Sequence, residues 1–310
     1  MTNTQQPIRL AMAPLQGHTD HIYRRIHQTL IGGIDHYYTP FLRHPLRNKD
    51  KKDVALMYND TSCTIPQILG GDAEEMLTLF DYVRDLGYKR VDVNLGCPFP
   101  LITSKRRGSG VFKQSTEDFQ ALMEQIPVDL HVSLKLRLGW DAPDQLLPWM
   151  PIINQTPLHS LALHARFGKQ AYKGACDLDA FSAIYDTCQH PLWYNGDINS
   201  PEDAQEILER FPTLAGVMIG RGLLADPLLG LKIKGEMALS EAGQLEKCLA
   251  FHDQLAEAYT NYLEGGDKQI VQKLKSIWDY FLPDTDKRIL KKIKKANKLE
   301  DYHAAVHLLI

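Results

Sequence analysis

Apolar residues come in short runs along this chain, and the runs are regularly spaced. IRLAMAP (8–14), HYYTPF (36–41), IPQILG (65–70), RVDVNLG (90–96), HVSLKLRLG (131–139), SLALHAR (160–166), PLWYNGD (191–197) and GVMIGRG (216–222) make eight, most starting about 25 to 30 residues after the one before. That interval fits a strand, a helix and two short loops. The step from the fourth run to the fifth is longer and predicts a larger connection after Cys97. Between the runs the pattern turns helical. DAEEMLTLFDYVRDLG (72–87) begins with an Asp cap and an acidic first turn, and places Met76, Leu79, Phe80 and Val83 on one stripe. SPEDAQEILERF (200–211) has Ser200 as N-cap, Pro201 at the first helical position and Asp203 three residues after the cap.

Eight strand–helix units predict an α/β fold, a (β/α)8 TIM barrel. An open doubly wound sheet is the alternative, and the lack of a glycine-rich dinucleotide fingerprint disfavours it. From about residue 240 the strand pattern stops, and segments 241–264, 267–281, 286–297 and 299–309 all read as helical. The expected organisation is a catalytic barrel over residues 1–235 and an all-helical domain over 236–310.

Composition narrows the function classes. The 310 residues are 44% hydrophobic and 24% charged, ordinary for a globular protein, and the net charge of −3 gives no bulk attraction for nucleic acid. Any basic surface must therefore be local. The N-terminal MTNTQQPIRL lacks the apolar core of a signal peptide, and no run of about 18 apolar residues suggests a membrane span. Cys63, Cys97, Cys176, Cys188 and Cys248 are scattered without metal spacing, so no metal is expected and a reducing cytoplasm fits.

A barrel places its chemistry at the C-terminal ends of its strands, and polar residues collect there. Pro14 follows the first run, Gln67 lies in the third, and Asn94 ends the fourth with Cys97 just beyond. Alternation sends Val132, Leu134 and Leu136 to one face of the fifth run and Ser133, Lys135 and Arg137 to the other. Lys135 then points inward, where an ammonium is costly unless paired. His164 points inward from the sixth run, with Arg166 close behind. Asn195-Gly196-Asp197 and Gly220-Arg221-Gly222 end the last two, where barrels often hold phosphate on backbone N–H groups.

These motifs resemble those of the tRNA-dihydrouridine synthases. MAPLQGHTD (12–20), PQILGGD (66–72), VNLGCP (93–98), LKLRLGW (134–140), LHAR with QAYKG (163–174), NGDI (195–198) and VMIGRG (217–222) occur in that family's order. The likeness covers roughly residues 8 to 230, and the tail looks most like the bacterial C-type, which hints at an early D-loop position. The resemblance implies an enzyme that carries FMN, draws electrons from NADPH and reduces the C5=C6 bond of a D-loop uridine in tRNA. It implies Cys97 as catalytic acid and Pro14, Gln67, Lys135, His164, Asn195, Gly196, Asp197, Gly220 and Arg221 around the cofactor. Asn94 would sit against flavin and uracil, and Arg166 near the substrate. The sequence departs from the family pattern at Phe99-Pro100-Leu101, at Ala165 and Phe167, and at Gly168, positions that bear on RNA contacts more than on flavin chemistry.

Such chemistry delivers hydride from flavin N5 to C6 and then needs a proton at C5. A thiol that keeps its proton at neutral pH can supply it. The nearby Lys105, Arg106 and Arg107 would favour thiolate and are therefore expected to point away, toward RNA phosphates. Between residues 287 and 298 seven basic residues stand with no acidic one, among them Arg288, Lys291, Lys292 and Lys295, a candidate phosphate track on tRNA. No protein partner is evident and a monomer is expected. Two other readings remain: an FMN-dependent reductase of a free pyrimidine, and an RNA-binding barrel without catalysis.

Overall fold

The computed structural model describes residues 7–309. Its strands are β1 Leu10–Met12, β2 His36–Tyr38, β3 Thr64–Ile65, β4 Gln67–Leu69, β5 Arg90–Leu95, β6 His131–Arg137, β7 Ser160–His164, β8 Leu192–Asn195 and β9 Gly216–Ile219. All pair in parallel, in the order β3-β2-β1-β9-β8-β7-β6-β5-β4. The chain passes from β3 to β4 through Pro66 and so closes the ring. The two pieces are one barrel strand, interrupted where proline has no N–H to give to a ladder. The Pro66 carbonyl still accepts the Asp92 N–H at 2.8 Å. The eight expected runs thus form the eight staves of a TIM barrel.

Alternation sorts each stave. Val91, Val93, Leu95, Val132, Leu134 and Leu136 face outward and are fully buried under the surrounding helices. A separate inner cluster holds Ala11, Ala13, Tyr38, Ile65, Ala162, Trp193 and Met218. The rest of the interior is polar: Gln67, Asp92, Asn94, Ser133, Arg137, His164 and Asn195 are all buried. Burying such groups costs several kcal/mol, roughly, unless each finds a partner. The barrel therefore has an apolar wall centred on β1 and β9, and a polar wall from β4 to β8 on which the chemistry is mounted.

The helices form where their signals lie. Ala73–Asp85 is capped by Asp72, which accepts the Glu75 N–H at 3.1 Å, and buries Met76, Leu79, Phe80 and Val83. Pro201–Arg210 starts with a full capping box between Ser200 and Asp203. The longer connection after Cys97 folds into a turn of helix Pro100–Thr103, a 3-10 segment Gly108–Lys113 and helix Thr116–Met123.

Helices Glu241–Tyr262, Gly266–Ile277, Lys287–Lys295 and Leu299–Val306 follow the barrel. They pack against the loop after β1. The Tyr259 hydroxyl donates to Asp20 at 2.8 Å, and Lys273 pairs with Asp20 and donates to the Gly17 carbonyl, both at 2.8 Å. Phe251 meets Tyr23 edge-on at 5.3 Å. The helical segment is thereby fixed to the rim of the face at which the strands end. Among the described residues no helix is long and apolar enough to cross a membrane, and no group of three or more His, Cys, Asp or Glu side chains could hold a metal ion.

Candidate active site

Cys97 stands two residues beyond β5, half-buried, in a turn clamped at both of its peptide groups. Its N–H donates to Asn94 Oδ1 at 2.8 Å, and its carbonyl accepts the N–H and the hydroxyl of Ser109, each at 3.0 Å. Gly108, at φ +56, closes the back of the turn; a Cβ there would lie 2.7 Å from the Cys97 carbonyl oxygen.

Behind Cys97 runs a column of hydrogen bonds. Asn94 Oδ1 also accepts the Gly96 N–H at 3.1 Å, and Asn94 Nδ2 donates to Gln67 Oε1 at 2.9 Å. Gln67 Nε2 donates to Asp92 Oδ2 at 2.7 Å, and Ser133 Oγ donates to Asp92 Oδ1 at 2.6 Å. Strand register puts Gln67, Asp92 and Ser133 at one level, Asn94 and Lys135 at the next, and Arg137, His164 and Asn195 above them. Asp92 is fully buried, and burial pushes its carboxyl up to about 7 against the pull of Ser133, Gln67 and Lys135.

Burial also raises the Cys97 thiol, opposed by the Phe99 N–H and by the charges of Arg137 and Lys135. A thiol raised in this way stays protonated at neutral pH. The loop cations do not act on it: Lys105 and Arg106 are exposed. Arg107, expected to face RNA phosphates, has carboxylate partners within the chain instead. It turns inward to Glu75 at 2.6 Å, with Asp72 at 3.8 Å, because the helix that begins there presents an acidic first turn.

Lys135 Nζ donates to Asn195 Oδ1 at 2.7 Å, while Asn195 Nδ2 donates to the Met218 carbonyl at 2.8 Å. Burial first, and Arg137 second, push Lys135 down to about 8. Arg137 Nε donates to the Gly96 carbonyl at 2.9 Å and its NH1 to the Ala171 carbonyl at 2.7 Å, so it ties the cysteine turn to the loop after β7. His164 is held well below the ordinary imidazole range by burial and by Arg137, Lys135, Arg166 and Arg221. It is therefore neutral. The Arg166 NH1 donates to its Nε2 at 3.2 Å, which leaves Nδ1 to carry the proton.

Asp197 lies between two guanidinium groups. Arg166 binds both of its oxygens, and Arg221 NH2 donates to Oδ1 at 2.9 Å. Arg166 was expected near the substrate; it is only 2% exposed and is engaged by Asp197, His164 and the Gly174 carbonyl. Two fixed cations against one carboxylate leave an excess positive charge. It lies beside Gly196, at φ +148, and the Gly220-Arg221-Gly222 backbone, which line one cleft. Arg166 Nε is buried without a partner. This donor set fits a phosphate group, and its place at the ends of β8 and β9 fits the phosphate end of a flavin nucleotide. Pro14 lies half-buried after β1 on the same rim.

Three contributors escape sequence reasoning. Asp92 and Ser109 secure the column and the turn. Tyr172, 49% exposed, lies under Arg221 at 4.8 Å and Arg137 at 5.3 Å, with its ring 6.1 Å from His164. Alternation could have flagged Asp92, a carboxylate on the Asn94 face of VDVNLG. In the basic helix Lys291, Lys292 and Lys295 are exposed, and Arg288 is exposed but paired with Asp286 at 2.9 Å. Lys294 folds back on Asp279 and the Lys275 carbonyl.

The chain is similar to known proteins over most of its length. The family model described as dihydrouridine synthase matches residues 11–306. A tRNA-dihydrouridine(16) synthase of Pseudomonas putida is 29% identical over 261 residues, 80% of this chain and 79% of the relative. A tRNA-dihydrouridine synthase B of the same species is 30% identical over 240 residues, 75% of this chain and 69% of the relative. Relatives of both types lie at nearly equal identity, so these matches do not single out the C-type branch. Among solved structures, the old yellow enzyme of Trypanosoma cruzi superposes with a TM-score of 0.51 at 11% identity, over 76% of this chain and 93% of that one. Morphinone reductase superposes with a TM-score of 0.53 at 12% identity, over 75% of this chain and 87% of that one. At such identities these likenesses speak for the barrel alone.

Proposed function

The chain belongs to the dihydrouridine synthase family, and on that premise we propose that it reduces the C5=C6 bond of a D-loop uridine in tRNA, with FMN as cofactor and NADPH as electron donor. The (16) synthase among its relatives favours position 16. When bound, the flavin supplies the hydride that adds at C6. Cys97 supplies the proton at C5 as general acid. Burial keeps its thiol protonated before transfer, and the Phe99 N–H, Arg137 and Lys135 receive the thiolate afterwards. The clamp from Asn94 and Ser109 fixes the turn from which the thiol projects.

Lys135, positioned by Asn195, and the neutral His164, with its proton on Nδ1, face the cofactor as hydrogen-bond donors. Gly196, Gly220 and Arg221, with Asp197 as the counter-charge that orients the arginines, hold the phosphate. Gln67 and Asn94 support the flavin and the base from below, and Pro14 flanks them. The exposed ring of Tyr172 offers a stacking surface to a base turned out of the tRNA. Lys105, Arg106 and the basic helix, with Lys291, Lys292 and Lys295 exposed, track the phosphates. In this reading residues 1–235 are the catalytic barrel and 236–310 the tRNA-binding domain of a monomer.

The observation that carries this reading is the half-buried turn of Cys97, clamped at the end of the Asn94 column in a chain of this family. The test pairs the visible spectrum of the purified protein with the dihydrouridine content of tRNA incubated with NADPH. Bound FMN and new dihydrouridine are expected, with no turnover of free uracil. A colourless protein that takes up no FMN would overturn the enzyme reading, and turnover of free uracil would replace tRNA as substrate.

A further inference from the structure

The opposite end of the barrel, where the strands begin, holds a second polar cavity. It has a volume of about 130 Å³ and is lined by Arg9, His36, Arg90, His131 and His159, with Ser133 and Trp193 among the residues deeper in. The space far exceeds the roughly 10–15 Å³ that one water needs. These residues come from the starts of β1, β2, β5, β6 and β7, so the cavity has no part in the flavin site.

No carboxylate lines this cavity among the described residues. Arg9 NH2 lies 2.8 Å from His36 Nε2, and Arg90 NH1 lies 3.3 Å from His36 Nδ1. Burial and the two arginines push His36 down to about 4, so its ring is neutral. A neutral imidazole has one acceptor nitrogen. Arg90 NH2 also donates to the Ser62 carbonyl, but at His36 two guanidinium groups face one lone pair, and one of these contacts sets donor against donor. His131 and His159 stand edge to face at 5.2 Å beside them and bring further donors. The nearest acid, Asp35, is occupied: it accepts the Leu10 N–H at 2.7 Å and pairs with Lys234 at 3.0 Å. Asp92, one level in, keeps its oxygens on Gln67 and Ser133. The cluster has more donors and more positive charge than the chain satisfies.

We propose that this cavity in the barrel floor is a binding site for a small phosphate-class polyanion, held by Arg9 and Arg90 with His131 and His159 at its mouth. The anion supplies the acceptors that His36 cannot, and guanidinium forks suit phosphate oxygens. Ser133 belongs both to the cavity lining and to the column that ends at Cys97, so the bound anion would sit next to the foot of that column.

The test is calorimetric titration of the FMN-loaded protein, at low ionic strength, with inorganic pyrophosphate and separately with uridine monophosphate. Saturable binding of pyrophosphate with the flavin site filled, weakened about tenfold or more by Arg90→Gln or Arg9→Gln, is expected. Binding of pyrophosphate alone identifies a free polyanion; binding of both identifies a phosphate ester. A second readout needs no variant: pyrophosphate should protect His131 and His159 of the native protein from diethyl pyrocarbonate, mapped by mass spectrometry. No saturable heat up to about 10 mM, affinity that survives Arg90→Gln, or unprotected histidines would each overturn the proposal.

Discussion

The two ends of the barrel use the same residue types to opposite effect. At the mouth every cation has a specific acceptor: Lys135 has Asn195, Arg137 has the carbonyls of Gly96 and Ala171, and Arg166 and Arg221 share Asp197. At the floor, Arg9 and Arg90 face one neutral histidine between them, and beyond it Arg90 has only the Ser62 carbonyl among the described residues, with no carboxylate for either. The mouth is pre-organised, its donors aimed before any ligand arrives, the condition under which fixed dipoles act on a reacting group without reorganising. The floor is under-supplied with acceptors. A count of basic residues would make the two ends look alike; only the acceptors tell them apart.

Substitutions at each end can break or sharpen this contrast. The largest effect is expected from Cys97→Ala, which should lower tRNA reduction by about a hundredfold or more while FMN stays bound; near-normal turnover would remove Cys97 from the chemistry. Replacing Lys291, Lys292 and Lys295 together by Ala should weaken tRNA binding by about tenfold or more and flatten its salt dependence by roughly two units of log–log slope. An unchanged slope would show that the helix is only a solvated face. Asp92→Ala, between the two ends, leaves Gln67 Nε2 and Ser133 Oγ unpaired and should cost about 1–3 kcal/mol in urea unfolding. A loss no larger than that of a surface substitution would mean the column bears no strain.

Arg221→Ala should weaken FMN binding by about tenfold, on the order of 1.4 kcal/mol, with Arg90→Gln leaving it alone; equal effects would erase the distinction between the ends. The remaining prediction is one of pH and concerns Lys135. Its folded value of about 8 lies below the roughly 10.4 of an unfolded lysine, so the unfolded chain holds more protons between those values. Its stabilising contribution is therefore complete above about pH 10.4 and is lost as pH falls through 8. The urea midpoint of the native protein, compared with Lys135→Met, should rise from pH 8 to 10; parallel profiles would contradict it.

Much of this was legible in the chain. Eight recurring apolar runs gave the staves, alternation turned Lys135 and His164 inward, and the Ser200 cap marked its helix to the residue. The cofactor-side candidates at the ends of β8 and β9 do gather in one cleft. What alternation cannot supply is partner choice. Arg107 was expected to face RNA phosphates and Arg166 the substrate, yet Glu75, 32 residues before the first, and Asp197, 31 residues after the second, engage them. The floor was invisible for the same reason. Arg9, His36, Arg90, His131 and His159 come from five strands, and no local motif contains two of them.

The column beneath Cys97 also has a polarity. When ionised, the Asp92 carboxylate at its foot can only accept; Gln67 points its nitrogen down and its oxygen up, and Asn94 repeats that orientation. Two side chains away, the group left to meet the peptide of the cysteine turn is an oxygen. Gln67→Glu would therefore upset the lower joint, setting carboxyl against carboxyl at Asp92, while Asn94 keeps its acceptor above. The spelling of the active-site turn is decided at Asp92, a residue that never touches it.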